Sequence, residues 1–176
     1  MPYDETFEEY AADASISSTW AYGVARSESL FMRDVRSSAG AIGLMQLMPA
    51  TGKKVAREIK LPYSGLDTLT NPQSNILLGT TYLGQMAERY GGNRVLATAA
   101  YNAGPHRVDA WLPQVGDLDA RVWIENIPFN ETRGYVRRVL AAETIFHWRM
   151  TGEVRRLSDE MLVVSAASKT QQVAKN

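Results

Sequence analysis

The 176-residue sequence contains no cysteine, which excludes disulfide frameworks, thiol nucleophiles and cysteine-based metal sites. Histidine is nearly as scarce. His106 and His147 stand far apart in the chain, so neither a metal cluster nor a cofactor is expected. No sign of charge is in excess, nineteen Lys and Arg balancing nineteen Asp and Glu. No basic run is interleaved with aromatics, and nucleic acid is not an expected partner. No apolar run approaches the roughly 20 residues of a transmembrane helix, so the chain is not expected to span a membrane. The opening Met1-Pro2-Tyr3-Asp4-Glu5 has neither the basic start nor the apolar core of a signal peptide.

The composition that remains, 45% hydrophobic and 22% charged, is that of a folded globular chain. A chain of this length buries roughly 70% of the surface it exposes when unfolded. Helix signals recur along it and strand signals barely occur. A short helix is read over 6–14, and a second from about Ser18 to Phe31 behind the capping residues Ser17 and Ser18. Pro49 suits the first turn of a third, reaching Ile59 with Val55 and Ile59 on one face. Residues 60–70 read as an irregular connection. Asn71-Pro72 is a strong helix start, and Ile76, Leu83, Met86 and Tyr90 mark one face up to Gly91-Gly92. Asn93 is a cap for a helix closing at Gly104-Pro105. Short helices near 105–112 and 119–126 follow, and then a long helix capped by Asn130 and running to about Met150.

The expected architecture is all-α, with residues 1–15 a helical extension, 16–152 the main domain, and 153–176 a partly disordered tail. On the second helix, Trp20, Val24, Glu28 and Phe31 follow spacings of four, four and three, so Glu28 continues the apolar stripe. Tyr22, Arg26, Ser29 and Arg33 form the opposing polar face. Burial disfavours a charged carboxylate, and an acid that keeps its proton is what cleavage of a glycosidic bond requires. The structural alternative is a core-edge glutamate paired with Arg26 or Arg137.

The loop that follows holds Gly40 and Gly43, which permit unusual backbone angles and close approach of a ligand. The run Gly43-Leu44-Met45-Gln46-Leu47-Met48-Pro49 joins apolar contact area to an amide that both donates and accepts, a combination suited to sugars. Alternatively, this run is a connector whose methionines fill the core. Tyr101 and Asn102 sit at a helix end. Glu131 lies in a first helical turn, where the helix dipole favours a carboxylate whatever its function.

Taken together, these segments resemble one family. Ala25-Arg26-Ser27-Glu28-Ser29 is similar to the Ala-Arg-x-Glu-Ser motif of family 23 lytic transglycosylases. Ser37 follows, then Gly-x-x-Gly-Leu-Met-Gln-x-Met-Pro at 40–49, Ala-Ala-Tyr-Asn-Ala-Gly-Pro at 99–105, and Ile-Pro-Phe-x-Glu-Thr-Arg-Gly-Tyr-Val at 127–136. Four motifs in family order over about residues 16–150 are specific where any one is weak. The last looks closest to the large soluble members, whose catalytic domain ends a longer periplasmic protein.

The resemblance implies a lysozyme-like helical fold with a substrate cleft, peptidoglycan glycan strands as substrate, a periplasmic location, and a parent protein larger than this chain. It implies cleavage of the β-1,4 bond between N-acetylmuramic acid and N-acetylglucosamine. The muramyl 6-hydroxyl attacks its own anomeric carbon and leaves a 1,6-anhydro end. By position, Glu28 is the catalytic acid and then base. Ser37, Gln46, Met48, Tyr101, Glu131 and Tyr135 match positions that orient the glutamate or hold the sugar, and Asn102 belongs to the same motif.

Hydrolases of this type use a second carboxylate. Residues 35–57 contain no Asp or Glu, whereas goose-type lysozymes, similar in fold, carry extra acids there. A muramidase acting on the same bond and a non-catalytic peptidoglycan-binding module are the alternatives. Asp34 and Glu131 are the acids that folding could bring close. His106 departs from the small residue frequent after the Ala-Gly-Pro segment, and the tail after Gly152 matches nothing in the resemblance.

Overall fold

In a computed structural model that describes residues 1–166, the chain divides into two compact units, Met1–Gly84 and Gln85 onward. In the first, α1 (Asp4–Asp13) packs on α2 (Ser18–Ser29). Phe7 and Ala11, one turn apart, are buried, and the Phe7 ring lies 4.5 Å from that of Tyr22. Tyr22 donates its hydroxyl hydrogen to the Pro2 carbonyl (3.0 Å), and burial, with Asp4 and Glu8 nearby, pushes its pKa up. Tyr22 is therefore not on a polar face as expected. Ser29 is also buried, because α1 and the loop after α2 cover both sides of the helix.

Ser17 caps α2, accepting from Trp20 N (3.2 Å). The helix stops at Ser29, two residues short of Phe31, because Leu30 and Phe31 both take left-handed backbone angles (φ 52° and 64°). The third helix, α3 (Pro49–Glu58), has proline in its first turn. Gly52, Val55 and Ala56 form its buried side, while Ile59 caps the C-terminus and is 36% exposed instead of sharing Val55's face.

The stretch read as irregular contains one helical turn, α4 (Leu66–Thr70). Thr68 Oγ1 accepts from Ser64 N (2.8 Å) and Leu69 is fully buried, so packing supplies what local sequence signals did not. Asn71 caps α5 (Pro72–Arg89), accepting from Ser74 N (2.9 Å). The boundary between the two units falls within this helix.

In the second unit, Asn93 caps α6 (Arg94–Ala103), which is buried from Val95 to Tyr101. Gly104, at φ 90°, turns the chain into α7 (Pro105–Trp111). A two-residue strand, β1 (Asp117–Leu118), leads to α8 (Ala120–Glu125), capped by Asp119, and then to α9 (Asn130–Thr151). Asn130 is the first residue of α9 and not its cap. Phe129 holds the capping position without a side-chain bond, and Asn130 Oδ1 instead accepts from the Arg133 guanidinium.

Helix α9 packs on α6, and Arg94 Nη1 meets the buried Glu143 carboxylate at 2.6 Å. Beyond Gly152, a 3-10 turn (Leu157–Glu160) precedes β2 (Val164–Ser165), which pairs antiparallel with β1. The rest of the expected tail, 167–176, lies outside the described residues.

Candidate active site

In the first unit, Glu28 lies in the last turn of α2, below the buried Trp20 and Val24, and is itself half-buried. Its neighbour Ser29 fixes that turn to the loop, donating its hydroxyl hydrogen to the Leu44 carbonyl across 2.7 Å. The loop is closed by its own backbone: Gly43 N donates to Val35 O (3.0 Å), and Ile42 and Leu47 exchange both backbone bonds at 3.0 Å. Ser37 Oγ accepts from Ala41 N (3.0 Å) and so holds the loop's tip.

Gln46, at φ 48°, spends both hydrogens of its amide nitrogen on the Val35 and Gly43 carbonyls (2.9 Å each). Its Oε1 accepts no hydrogen bond among the described residues, so the amide keeps acceptor capacity and has no donor to spare. Met48, at the cap of α3, is 43% exposed.

Sequence reasoning missed Asn75. Fully buried on α5, it accepts from Met45 N (2.8 Å) and donates to the Leu69 (2.8 Å) and Ile42 (3.1 Å) carbonyls. The readable signal was an amide on the stripe Asn75, Gly79, Leu83, Met86, where a polar side chain has to find partners.

In the second unit, Tyr101 and Asn102 end α6, while Glu131 and Tyr135 belong to the first turns of α9. Thr132 Oγ1 donates to Asn102 Oδ1 (2.8 Å) and so ties these segments together. Tyr101 and Tyr135 are buried, at 9% and 2% exposure, and Glu131 is exposed. His106 is exposed on α7. Arg137, considered as a partner for Glu28, pairs with Glu125. Asp34 is solvent-exposed and bonded to the adjacent Arg33 (3.3 Å). Among the described residues no group of three His, Asp or Glu side chains is arranged to hold a metal ion, and no helix is long and apolar enough to cross a membrane.

Known proteins are similar to this chain in both sequence and fold. The soluble lytic murein transglycosylase of Salmonella typhimurium is 41% identical over 161 residues, which are 90% of this chain and 25% of that protein. An inactive mutant of lytic transglycosylase Slt from Pseudomonas aeruginosa superposes with a TM-score of 0.84 at 43% identity, covering 89% of this chain and 25% of the other. The 70-kDa soluble lytic transglycosylase of Escherichia coli gives a TM-score of 0.81 at 37% identity, over 91% and 26%.

The chain thus spans about a quarter of the length of these relatives, and its fold is the helical, lysozyme-like one they share. The profile described as soluble lytic transglycosylase helical domain matches residues 126–154, and that described as Transglycosylase SLT domain matches residues 5–124. The chain belongs to the transglycosylase SLT domain family.

Proposed function

We propose that this chain is a peptidoglycan lytic transglycosylase that cuts the β-1,4 bond between N-acetylmuramic acid and N-acetylglucosamine, with Glu28 as the one carboxyl that moves the proton. Glu28 gives its proton to the departing glucosamine O4 as the bond to the muramyl anomeric carbon breaks. The carboxylate then takes the proton of the muramyl 6-hydroxyl as that oxygen bonds to the same carbon. No water is consumed, and the acid returns to its starting state. The observation that carries this reading is the setting of Glu28, half-buried in a helical turn that Ser29 pins to the glycine loop. A general acid works only where it is held against the bond it protonates, and such a turn holds it.

The same reading gives Ser37 and Gln46 the task of fixing the loop, and Met48 an apolar contact for a sugar face. Tyr101, Asn102, Glu131 and Tyr135 are proposed sugar-holding residues. The lack of acids in 35–57 and the solvent-facing Asp34 favour the intramolecular route over hydrolysis, which needs a second carboxylate to activate water. The Pseudomonas aeruginosa relative is an inactive mutant in which a glutamate was changed to glutamine, in keeping with chemistry that depends on one carboxyl. Substrate of this kind would place the enzyme's work in the periplasm.

Mass spectrometry of muropeptides released from purified sacculi tests the proposal. Products with 1,6-anhydro ends, one water lighter than hydrolytic products, are expected from the wild type. None is expected from Glu28→Gln, whose circular dichroism should match wild type. Reducing ends in place of anhydro ends would make the protein a muramidase, and full activity in Glu28→Gln would remove Glu28 from the mechanism.

A further inference from the structure

The turn that follows Glu28 is strained in a way that its packing only half explains. Leu30 (φ 52°, ψ 34°) and Phe31 (φ 64°) are consecutive left-handed residues, and neither is a glycine or an asparagine. Among the described residues six non-glycine positions have a positive φ, and three of them, Leu30, Phe31 and Gln46, belong to the turn and loop around Glu28. Strain of this kind gathers where a site needs a geometry that the chain would not adopt unaided.

The two left-handed residues differ in what they gain. Phe31 is turned back against α2, where its ring meets that of Tyr22 edge to face at 5.8 Å. The reversal also closes the helix, Leu30 N donating to Arg26 O and Met32 N to Ser29 O (3.1 Å each). Both gains belong to the turn and not to the Leu30 side chain. Glycine or asparagine at position 30 would make the same turn with less strain. Leu30 is moreover 65% exposed, the most exposed large apolar side chain of the first unit. Backbone and hydration thus both count against leucine here.

We infer that Leu30 is a specificity-determining residue, whose exposed side chain takes the N-acetyl methyl group of a sugar beside the bond that Glu28 cleaves. This rests on the reading of Glu28 as the acid that meets the glycan. Consecutive Cα atoms lie about 3.8 Å apart, so the Leu30 Cα is within about 7.6 Å of that of Glu28. A sugar whose glycosidic oxygen meets the Glu28 carboxyl therefore has its substituents within reach of the Leu30 side chain. The apolar parts of an N-acetylhexosamine are its ring face and its acetamido methyl. Flat aromatic rings suit the first, and a single branched aliphatic side chain suits the second. Contact withdraws both the methyl and Leu30 from water, which gives the exposed leucine its use.

An NMR titration with tetra-N-acetylchitotetraose tests this inference, carried out in the Glu28→Gln protein so that nothing is cleaved. Shifts are expected at the amides of Leu30 and Met32. Adding Leu30→Asn should weaken binding about fourfold, the effect of one buried methyl. Its thermal midpoint should be no lower than the parent's, since asparagine tolerates left-handed angles. Leu30→Met, which keeps the apolar reach, should bind like the parent. With the tetramer of unacetylated glucosamine, the parent and Leu30→Asn should bind alike. Absence of shifts at Leu30, unchanged affinity in Leu30→Asn, or equal weakening in Leu30→Met would overturn the assignment. So would a Leu30→Asn effect that persists on the unacetylated tetramer, or a lowered midpoint, which would give the leucine a structural purpose. Digestion of sacculi by the wild type separates the two claims. Anhydromuropeptides with Leu30-independent binding sink this inference alone, and Leu30-dependent binding without cleavage sinks the enzymatic reading alone.

Discussion

Gly43 and Asn75 fill one another's space: a β-carbon added at Gly43 would lie 2.4 Å from Asn75 Nδ2 and 2.3 Å from the Leu69 carbonyl oxygen. The side chain that holds the loop can do so only because the residue it passes has none. Gly43 also sits at φ 84°, a conformation that L side chains rarely adopt.

Gly43→Ala therefore meets two penalties, backbone strain and a clash with a main-chain oxygen that has little freedom to shift. We expect a loss of about 3 kcal/mol or more in urea unfolding, with cleavage activity falling alongside it. A midpoint within error of wild type would show that the loop reaches a different conformation at little cost.

Asn75→Ala should be as severe for a different reason. In a buried setting it removes the acceptor that Met45 N uses and the donor to Leu69 O, and takes one of two bonds from Ile42 O, which keeps Leu47 N. Orphaned groups of this kind cost about 1–3 kcal/mol each before relaxation or water entry. Thermal unfolding should show a marked drop, and Asn75→Asp should not restore stability, because a carboxylate cannot donate to the two carbonyls. Full stability in Asn75→Asp would contradict this account.

Ser29→Ala removes the bond to Leu44 and keeps the helix. Stability should fall by about 1–2 kcal/mol, while kcat on sacculi should fall further than stability explains, with KM little changed. A fall in KM and kcat together, or none in kcat, would mean that the bond is structural only.

The helix starts were the legible part of the fold. Ser17, Asn71 and Asn93 act within three residues of themselves, and each makes the bond its position promised. Asn130 did not, because the neighbouring Arg133 guanidinium engages its side-chain oxygen and Phe129 takes the capping position. Tyr22 and Ser29 were read as outward-facing from the helical repeat alone. That repeat cannot register the later segment that covers them. Asn75 stood on a readable stripe, but its partner did not show, Met45 lying 30 residues away. The motifs marked where Glu28, Ser37 and Gln46 stand in the chain. The bonds that hold the loop under them required the folded structure.

The α8 cap makes a separate prediction about pH. Arg121 bonds both oxygens of Asp119 (2.9 and 2.7 Å), and this side-chain bonding, helped by the Arg121 backbone N–H, holds the carboxyl at about 2 against an ordinary 3.8. A carboxyl whose folded value is depressed lends stability above its unfolded value and loses it as pH falls through the folded one. The contribution should therefore be complete above about pH 4 and fade towards pH 2, and it should be small because the pair is exposed. An NMR titration of Asp119 should move back towards the ordinary range in Arg121→Gln. An unmoved titration would assign the shift to the helix start instead.

The loop over 35–47 spends its own hydrogen-bonding groups on itself, through Ser37, Gln46 and the paired backbone of Ile42 and Leu47. Its disorder is thus surrendered once, when the chain folds, and not again each time a glycan arrives. A calorimetric titration with a sugar ligand should accordingly carry little entropic penalty from this segment, and the affinity it measures should reflect contact and not the taming of a floppy lid.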